Sequence, residues 1–288
     1  MWIADNWKDI EVLDCTDGEK LERWGDKIVV RPEPQAIWQT ERTHRGWKTC
    51  DGRYERSRTG GGQWVKSDLP ERWQVRYGDL AFHVGPMNFK HMGLFPEQAT
   101  NWDFLREKIT TASRPLEVLN LFAYTGGATV AAATAGASVC HVDAAKGMVA
   151  WGKENAKLSG LDAAPIRWIV DDCIKFVQRE IRRGRRYDGI IMDPPSYGRG
   201  PDGEVWKLEE NLYPFVELVS GVLSDNPSFV LINSYTTGLS PSVLTYISES
   251  IFTKRFGGSS ESRELGLPVT QSGLVLPSGA TCRWQREG

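Results

Sequence analysis

The chain has 288 residues, of which 40% are hydrophobic and 25% charged, and its formal net charge is −2. This composition predicts a folded globular protein and excludes a strongly basic nucleic-acid-binding chain, although a local basic patch is compatible with it. Since no apolar run approaches the roughly 18 residues of a membrane span, and the five cysteines are odd in number without a C-x-x-C pair, we expect a cytoplasmic protein with no membrane segment and no metal site.

Residues 1–85 are predicted to form a small, mostly β domain. Short strand patterns occur at 11–14, 27–30, 73–77 and 80–84. The last two flank a Gly-Asp pair that is typical of a β-hairpin. Eight of the 12 tryptophans lie at or before residue 102, and large aromatic side chains allow a small β domain to bury enough surface to be stable. The alternative is that exposed indoles stack on nucleic-acid bases.

A locally basic, aromatic stretch covers residues 42–58, directly ahead of three consecutive glycines. Its cations are Arg42, His44, Arg45, Lys48, Arg53, Arg56 and Arg58, and the aromatic residues between them are Trp47 and Tyr54. Such a stretch favours a mobile arm that follows the phosphates of a nucleic acid. A solvated loop is the alternative.

Residues 86–288 are predicted to form an α/β domain in which strands and helices alternate. The predicted strands are 116–122, 138–142, 166–170, 187–192 and 228–232, and the predicted helices are 127–135, 145–158, 174–183 and 207–223. Continuous hydrophobic strands in this order indicate a mostly parallel, doubly wound, Rossmann-like sheet with both faces covered. The tail, 273–277 and 280–284, is predicted to close the sheet edge as an antiparallel hairpin.

Ligand-binding residues are expected beyond the carboxyl ends of the parallel strands. The first strand leads into a Gly126-Gly127 turn, where the backbone can approach a ligand at the N-terminus of the next helix, although a plain strand-to-helix turn is the alternative. The second strand ends at Asp143, whose carboxylate can accept both hydroxyls of a ribose. The third ends at Asp171-Asp172, where one carboxylate can accept from an adenine amine. Asp143 and Asp172 are alternatively helix N-caps.

The fourth strand ends in the sequence Asp-Pro-Pro-Ser-Tyr, residues 193–197. The two prolines prevent a helix and remove two backbone donors, which leaves carbonyl oxygens available at this edge. The Asp193 carboxylate and these carbonyls can accept the N–H groups of a planar amine while the Tyr197 ring stacks on its face. A rigid surface turn is the alternative.

Taken together, residues 118–127, Val142-Asp143, Asp171-Asp172 and 193–197 resemble the class I S-adenosylmethionine (SAM)-dependent methyltransferases that modify bases of bacterial 23S ribosomal RNA. The resemblance is closest to the cytosine-C5 and guanine-N7 branch and covers roughly residues 85–240. It implies the Rossmann-like fold of that family, SAM as cofactor and S-adenosylhomocysteine (SAH) as product. It also implies RNA as the partner. Binding of RNA through the stretch 42–58 and the N-terminal domain is expected from the composition of that stretch, because the tryptophan-rich N-terminal part does not match the RNA-binding module of that branch.

The resemblance further implies individual roles for site residues. Segment 93–98 resembles the family segment that packs over SAM, the loop after the first strand would line the methionine side, and the next two strand ends would hold the ribose and the adenine. The cofactor-binding residues so predicted are Phe95, Gln98, Phe122, Tyr124, Thr125, Gly126, Asp143, Asp171, Asp172 and Asp193. The catalytic residues so predicted, which face the acceptor, are Asp193, Pro194 and Tyr197.

One departure from the family concerns the acceptor atom. Cytosine C5 becomes nucleophilic only after a thiolate adds at C6, and the branch with that chemistry has a cysteine after the fifth strand. Here residues 233–237 read Asn-Ser-Tyr-Thr-Thr, and Cys173 and Cys282 are predicted to be buried structural residues. We therefore expect methylation of a nitrogen of an RNA base, ribosomal RNA being favoured, without a cysteine nucleophile. Asp193 and nearby carbonyls would orient the acceptor and stabilise its developing positive charge.

Three other functions are compatible with parts of the sequence. The first is a protein-glutamine or small-molecule N-methyltransferase, because Asp-Pro-Pro-aromatic loops also orient amides. The second, a dinucleotide-dependent oxidoreductase, requires a G-x-G-x-x-G turn, which residues 125–128 lack. The third is a non-catalytic RNA-binding module, which would bind RNA but not SAM.

Overall fold

A computed structural model of the chain describes residues 1–57, 61–199, 205–236 and 238–286. The chain divides into two compact units. The first comprises Met1–Thr100 with Leu265–Ser278, and the second comprises Asn101–Glu264 with Gly279–Gly288. The functional boundary between residues 85 and 86 stays a prediction.

The first unit is built mainly from β-strands. In chain order its elements are β1 (Trp2–Ile3), β2 (Ile10–Thr16), β3 (Glu19–Trp24), β4 (Lys27–Pro32), the short helix α1 (Gly46–Thr49), β5 (Gly52–Arg56), β6 (Gly62–Ser67), β7 (Trp73–Tyr77), β8 (Leu80–Val84) and a 3₁₀ turn (Pro96–Gln98). Strands β2 to β6 form one sheet in sequence order, while β7 and β8 pair with each other as an antiparallel hairpin.

Strand β3 lacks the alternation of hydrophobic and polar residues that is typical of a half-buried strand. Its charged residue Glu22 lies in the interior. The Glu22 carboxylate is fully buried and accepts two hydrogen bonds from Arg31 on β4, at 2.6 Å from Nε and 2.9 Å from Nη2. Burial by itself raises the pKa of Glu22, but the charges of Arg31 and Lys20 outweigh it and lower this pKa to about 2. A paired, hydrogen-bonded carboxylate is tolerated in a core where an isolated one is not.

Several tryptophans of the first unit stabilise it from within. Trp24 and Trp47 are buried, and the Trp47 indole donates to Asp14 Oδ2 at 2.8 Å. The Trp73 indole donates to the Trp24 carbonyl at 2.8 Å. For these residues the prediction of a structural role in the core is confirmed, and base stacking by Trp24 or Trp47 is excluded by burial.

The second unit alternates strands and helices. In chain order its elements are α2 (Ala99–Thr111), β9 (Glu117–Leu121), α3 (Gly127–Thr134), β10 (Ser138–Asp143), α4 (Lys146–Leu158), β11 (Ile166–Val170), α5 (Cys173–Arg182), β12 (Gly189–Met192), β13 (Tyr197–Arg199), β14 (Val205–Lys207), α6 (Leu208–Ser220), β15 (Phe229–Ser234), α7 (Pro241–Ser248), a π-helical turn (Glu249–Thr253), α8 (Lys254–Phe256), β16 (Ser259–Pro268) and β17 (Val275–Gln285). Some residues of α2, β16 and β17 belong to the first unit.

The sheet of the second unit has the strand order β16-β17-β15-β12-β9-β10-β11. The five strands from β15 to β11 are parallel neighbours, and β17 runs antiparallel to β15. This confirms the predicted Rossmann-like α/β fold with an antiparallel C-terminal edge. In the first unit, β1 pairs in parallel with residues 265–266 of β16.

The prediction of a hairpin within the tail is wrong. Residues 275–285 form the single strand β17, and its second neighbour in the sheet is β16, which the sequence pattern did not predict. Gly279 takes a φ of 121°, a conformation open to glycine, so that the chain passes the predicted turn without ending the strand.

The hydrophobic core of the second unit lies between the sheet and the helices packed on it. Fully buried side chains include Val230 and Ile232 of β15, Phe176 of α5 and Val216 of α6. Each such side chain contributes about 1.5–3 kcal/mol through its removal from water. Within the described ranges, no helix has the length and hydropathy needed to span a bilayer.

Candidate functional site

The carboxyl ends of four parallel strands lie side by side, since β12, β9, β10 and β11 are neighbours in that order. Backbone bonds continue this alignment just beyond the strands. Asp193 N–H donates to Leu121 O at 3.4 Å, and Asp171 N–H donates to Asp143 O at 3.0 Å. The structure thereby gathers on one edge of the sheet the predicted residues Phe122, Tyr124, Thr125, Gly126, Asp143, Asp171, Asp172 and Asp193.

The loop between β9 and α3 has a strained backbone. Phe122 and Tyr124 take φ values of 55° and 51°, and Gly126 takes 83°. The left-handed conformation costs a residue other than glycine about 1–2 kcal/mol, and such strain is concentrated at ligand-binding sites. Neighbouring elements hold the loop in place, because Phe122 N–H donates to Cys173 Sγ at 3.3 Å and Tyr124 N–H donates to Asp143 Oδ2 at 2.8 Å.

Helix α4 packs closely against this loop and against the strands beside it. The fully buried Asn155 amide donates to the Thr125 carbonyl at 2.9 Å. A Cβ atom on Gly152 would lie 2.9 Å from the Trp168 ring and 3.2 Å from the His141 ring, so that only glycine allows this approach. Burial lowers the pKa of His141 to about 3, which keeps this imidazole neutral. Asn155 was not predicted from the sequence. The feature that could have indicated its role is an amide side chain on the buried side of a helix.

Asp143 is half-buried at the end of β10 and bridges two loops. Its Oδ2 accepts from Tyr124 N–H and its Oδ1 accepts from Ala145 N–H, both at 2.8 Å. Burial raises the pKa of the Asp143 carboxyl above its ordinary value, while the two backbone donors oppose this shift. Each carboxylate oxygen has a further lone pair, so the side chain can still accept two hydroxyl groups from a ligand.

The two carboxylates after β11 already have protein partners. Asp172 is the N-cap of α5, its Oδ1 accepting from Lys175 N–H at 2.8 Å, as its alternative interpretation required. Asp171 forms an ion pair with Arg179. Because a carboxylate offers about four acceptor positions, capping is compatible with a ligand contact. The contact of Asp171 and Asp172 with an adenine stays a prediction.

The loop 193–197, which follows β12, begins in the protein interior and ends at the surface. Pro194 is buried, whereas Tyr197 is 53% exposed. The Pro195 carbonyl accepts from the Trp206 indole at 2.6 Å, which uses one of the two lone pairs of this oxygen. The Pro194 carbonyl accepts no hydrogen bond from any residue that the structure describes. The sequence analysis missed Trp206, which follows a stretch rich in glycine and charge.

Phe95 and Gln98 belong to the first unit, next to or within the 3₁₀ turn. Gln98 is buried and its N–H donates to Phe95 O at 3.1 Å. The half-buried Phe95 ring contacts His91 edge to face, with ring centroids 5.3 Å apart. Their contact with a cofactor stays a prediction.

The stretch 42–58 is not a mobile arm in its described part, since it contains α1 and β5. Trp47 and Tyr54 are buried, so neither ring is available to stack on a base. Arg42 and Arg53 both pair with Glu19, at 2.7 Å and 2.8 Å. Within residues 42–57, the described part of this stretch, the exposed cations are Arg45, Lys48 and Arg56; Arg58 lies outside the described residues.

Comparisons with known proteins identify the family to which the chain is similar. Residues 36–211 match the family described as S-adenosylmethionine-dependent methyltransferase. A SAM-dependent methyltransferase of known structure from Agrobacterium tumefaciens is 39% identical, with a TM-score of 0.92 over 99% of this chain and 93% of that one.

Two curated relatives are named for ribosomal RNA. Ribosomal RNA large subunit methyltransferase K/L of Chromohalobacter salexigens is 30% identical over 72% of this chain and 26% of its own length. Ribosomal RNA large subunit methyltransferase K of Neisseria meningitidis is 39% identical over 40% of this chain and 32% of its own. The chain thus spans only 26% to 32% of the length of these relatives.

Proposed function

The chain belongs to the S-adenosylmethionine-dependent methyltransferase family, and from this premise we propose that it methylates a nitrogen of an RNA base, with ribosomal RNA as the substrate. Membership in the family makes SAM the cofactor and SAH the product. The observation that carries the proposal is the edge on which Asp143, Asp193 and the strained loop meet. The relatives named for ribosomal RNA support the choice of substrate.

The cofactor lies along this edge. When bound, SAM supplies a methyl group that its sulfonium makes electrophilic. The Asp143 carboxylate accepts the ribose hydroxyls, and an aspartate after β11 accepts from the adenine amine. The strained loop 122–126 holds the methionine side, and Asn155 and Cys173 hold the backbone of this loop by hydrogen bonds. The remaining cofactor contacts of this proposal are Phe95, Gln98 and Asp193.

The acceptor base lies against loop 193–197. The Asp193 carboxylate and the Pro194 carbonyl accept its N–H groups, and the exposed Tyr197 ring stacks on its face. Negative oxygens around an amine stabilise the positive charge that develops as the methyl group arrives. Orientation of the acceptor in line with the donor supplies most of the remaining rate enhancement.

The cysteines favour nitrogen over cytosine C5 as the acceptor atom. All five are buried with free thiols, and burial raises the pKa of both Cys173 and Cys282. A protonated, buried thiol is a poor nucleophile. Free thiols also support a reducing compartment, so the proposed site of action is the cytoplasm. RNA contacts in the first unit are proposed for the exposed cations Arg45, Lys48 and Arg56.

Mass spectrometry of nucleosides tests this function directly. Ribosomal RNA from cells lacking the gene is digested before and after incubation with the purified protein and methyl-labelled SAM. The proposal expects label in a base-methylated nucleoside with the methyl group on nitrogen. Label found in 5-methylcytosine would contradict the proposal that the acceptor atom is a nitrogen. Label that appears only in protein or in small molecules of an RNase-treated extract would overturn RNA as the substrate.

Affinity for SAH is expected to fall on acidification. The fall should begin at a higher pH than it would if Asp143 had the ordinary pKa of an aspartate. Ribose hydroxyls donate to the ionised carboxylate, and burial raises the pKa of Asp143 above 3.8. Binding therefore favours the charged form, so affinity rises with pH and levels off above the pKa of the ligand-free protein. Calorimetry between about pH 4.5 and 7.5, where SAH itself does not titrate, measures this. Asp143→Asn should remove the dependence; an affinity in the wild type that stays constant with pH contradicts the role.

A further inference from the structure

Trp206 contacts both loops of the proposed site. It lies on β14 and pairs with Gly198 on β13, directly after loop 193–197. Its indole Nε1–H donates to the Pro195 carbonyl at 2.6 Å, just below the usual range for such bonds. This bond fixes the orientation of one peptide group in the proposed acceptor loop.

The ring of the same side chain packs on the proposed cofactor loop. Its centroid lies 5.9 Å from that of Phe122 and 5.7 Å from that of Phe215. Phe122 and Phe215 are also in contact, 5.5 Å apart, which closes a cluster of three rings. Aromatic pairs at these separations contribute about 0.5–1.5 kcal/mol beyond the area that they bury.

Phe122 is the residue through which this packing reaches the cofactor loop. Its φ of 55° is unfavourable for an aromatic residue, so the conformation persists only while its surroundings hold it. Cys173 Sγ holds the Phe122 backbone from one side, and the Trp206 ring holds its side chain from another. A displacement of Trp206 is thus transmitted to both loops.

We propose that Trp206 is a positioning residue, which sets the spacing between donor methyl and acceptor nitrogen through its contacts with Pro195 and Phe122. The role rests on the proposed function of loop 193–197. Trp206 also donates to the Pro195 oxygen, while the acceptor's N–H groups are proposed to bind the Pro194 oxygen and the Asp193 carboxylate. Methyl transfer is sensitive to this spacing, because a misplacement of about 1 Å can lower a rate about 100-fold.

Two substitutions separate the contacts of Trp206. Trp206→Phe keeps a ring against Phe122 but removes the N–H donor, so the rate of methyl transfer in a single turnover should fall about 10- to 100-fold with SAH affinity unchanged. Trp206→Ala removes both contacts and should weaken SAH binding as well. The acceptor probe is ribosomal RNA from cells lacking the gene.

A matched control is available in the same unit. The buried Trp284 indole donates to the Gly257 carbonyl at 3.0 Å, a bond of the same kind outside both loops. Trp284→Phe should lower thermal stability but leave the methyl-transfer rate unchanged. A Trp206→Phe protein that transfers methyl groups at the wild-type rate, or one that loses no more rate than Trp284→Phe, overturns the proposal.

A second readout does not depend on the acceptor. In an ¹⁵N spectrum, the Trp206 indole signal, assigned by its loss in Trp206→Phe, should shift when SAH is added, because its ring packs on the cofactor loop. If wild-type protein does not methylate the RNA, the proposed function fails while this readout still decides the role of Trp206. The positioning role of Trp206 is refuted if the indole signal does not shift and the Trp206→Ala protein binds SAH as tightly as the wild type.

Discussion

Replacement of Asp143 by alanine is expected to weaken SAH binding by about 100-fold or more, because it removes the two charge-assisted hydrogen bonds that are proposed to the ribose. The structure gives this side chain a second function, since it accepts from Tyr124 N–H and Ala145 N–H. Its loss therefore also releases the strained loop that is proposed to hold the methionine side. Isothermal titration calorimetry with SAH measures the change.

Two further variants separate ligand binding from folding in that experiment. Asp143→Asn retains one carbonyl oxygen and should give an intermediate affinity. Asp162→Ala removes an exposed carboxylate elsewhere in the unit and should bind SAH as the wild type does. Thermal unfolding shows whether each variant is folded. A folded Asp143→Ala protein with wild-type affinity would show that the ribose lies elsewhere.

Replacement of Asp193 by alanine is expected to leave SAH binding largely intact and to lower methyl transfer by about 100- to 1000-fold. The carboxylate is proposed to face the acceptor, where it orients the base and stabilises charge that is absent from the ground state. Its backbone N–H, which bonds to Leu121 O, is unchanged by the substitution. Rapid-quench measurement of a single turnover isolates the chemical step from product release.

The outcome for Asp193 distinguishes between two roles. A rate that falls while SAH affinity is retained supports an acceptor-facing carboxylate. An equal loss in SAH affinity and in rate would place Asp193 in the cofactor site alone, and a wild-type rate would remove it from the mechanism. Asp193→Asn retains an acceptor oxygen without the charge and should recover part of the lost rate.

Most of the central sheet could be predicted from the sequence because β9, β10, β12 and β15 are nearly continuous buried runs of hydrophobic residues. Strand β11 has the predicted bounds, and β9, β10, β12 and β15 differ by one or two residues. Strand β3 could not be predicted in this way, since its Glu22 becomes acceptable in the core only through Arg31, nine residues later. Strand β17 was divided wrongly because a Pro-Ser-Gly sequence normally marks a turn.

The carboxylates of the candidate site were predictable for a topological reason. Parallel strands bring their carboxyl ends to one edge, so Asp143 and Asp193 were expected together before any distance was known. The contacts that position them are long-range and leave no periodic signal. The Cys173 contact with Phe122, the Asn155 bond to Thr125 and the bond of the Trp206 indole belong to this class.

A crystal structure of the protein with SAH tests the proposed cofactor site directly. We expect both ribose hydroxyls within hydrogen-bonding distance of Asp143, and the sulfur directed towards loop 193–197. We also expect Phe122 and Tyr124 to have positive φ values in the complex, because Cys173 and Asp143 hold their backbone N–H groups. An adenosyl group bound away from this edge of the sheet, with Asp143 in contact only with protein, would contradict the central claim.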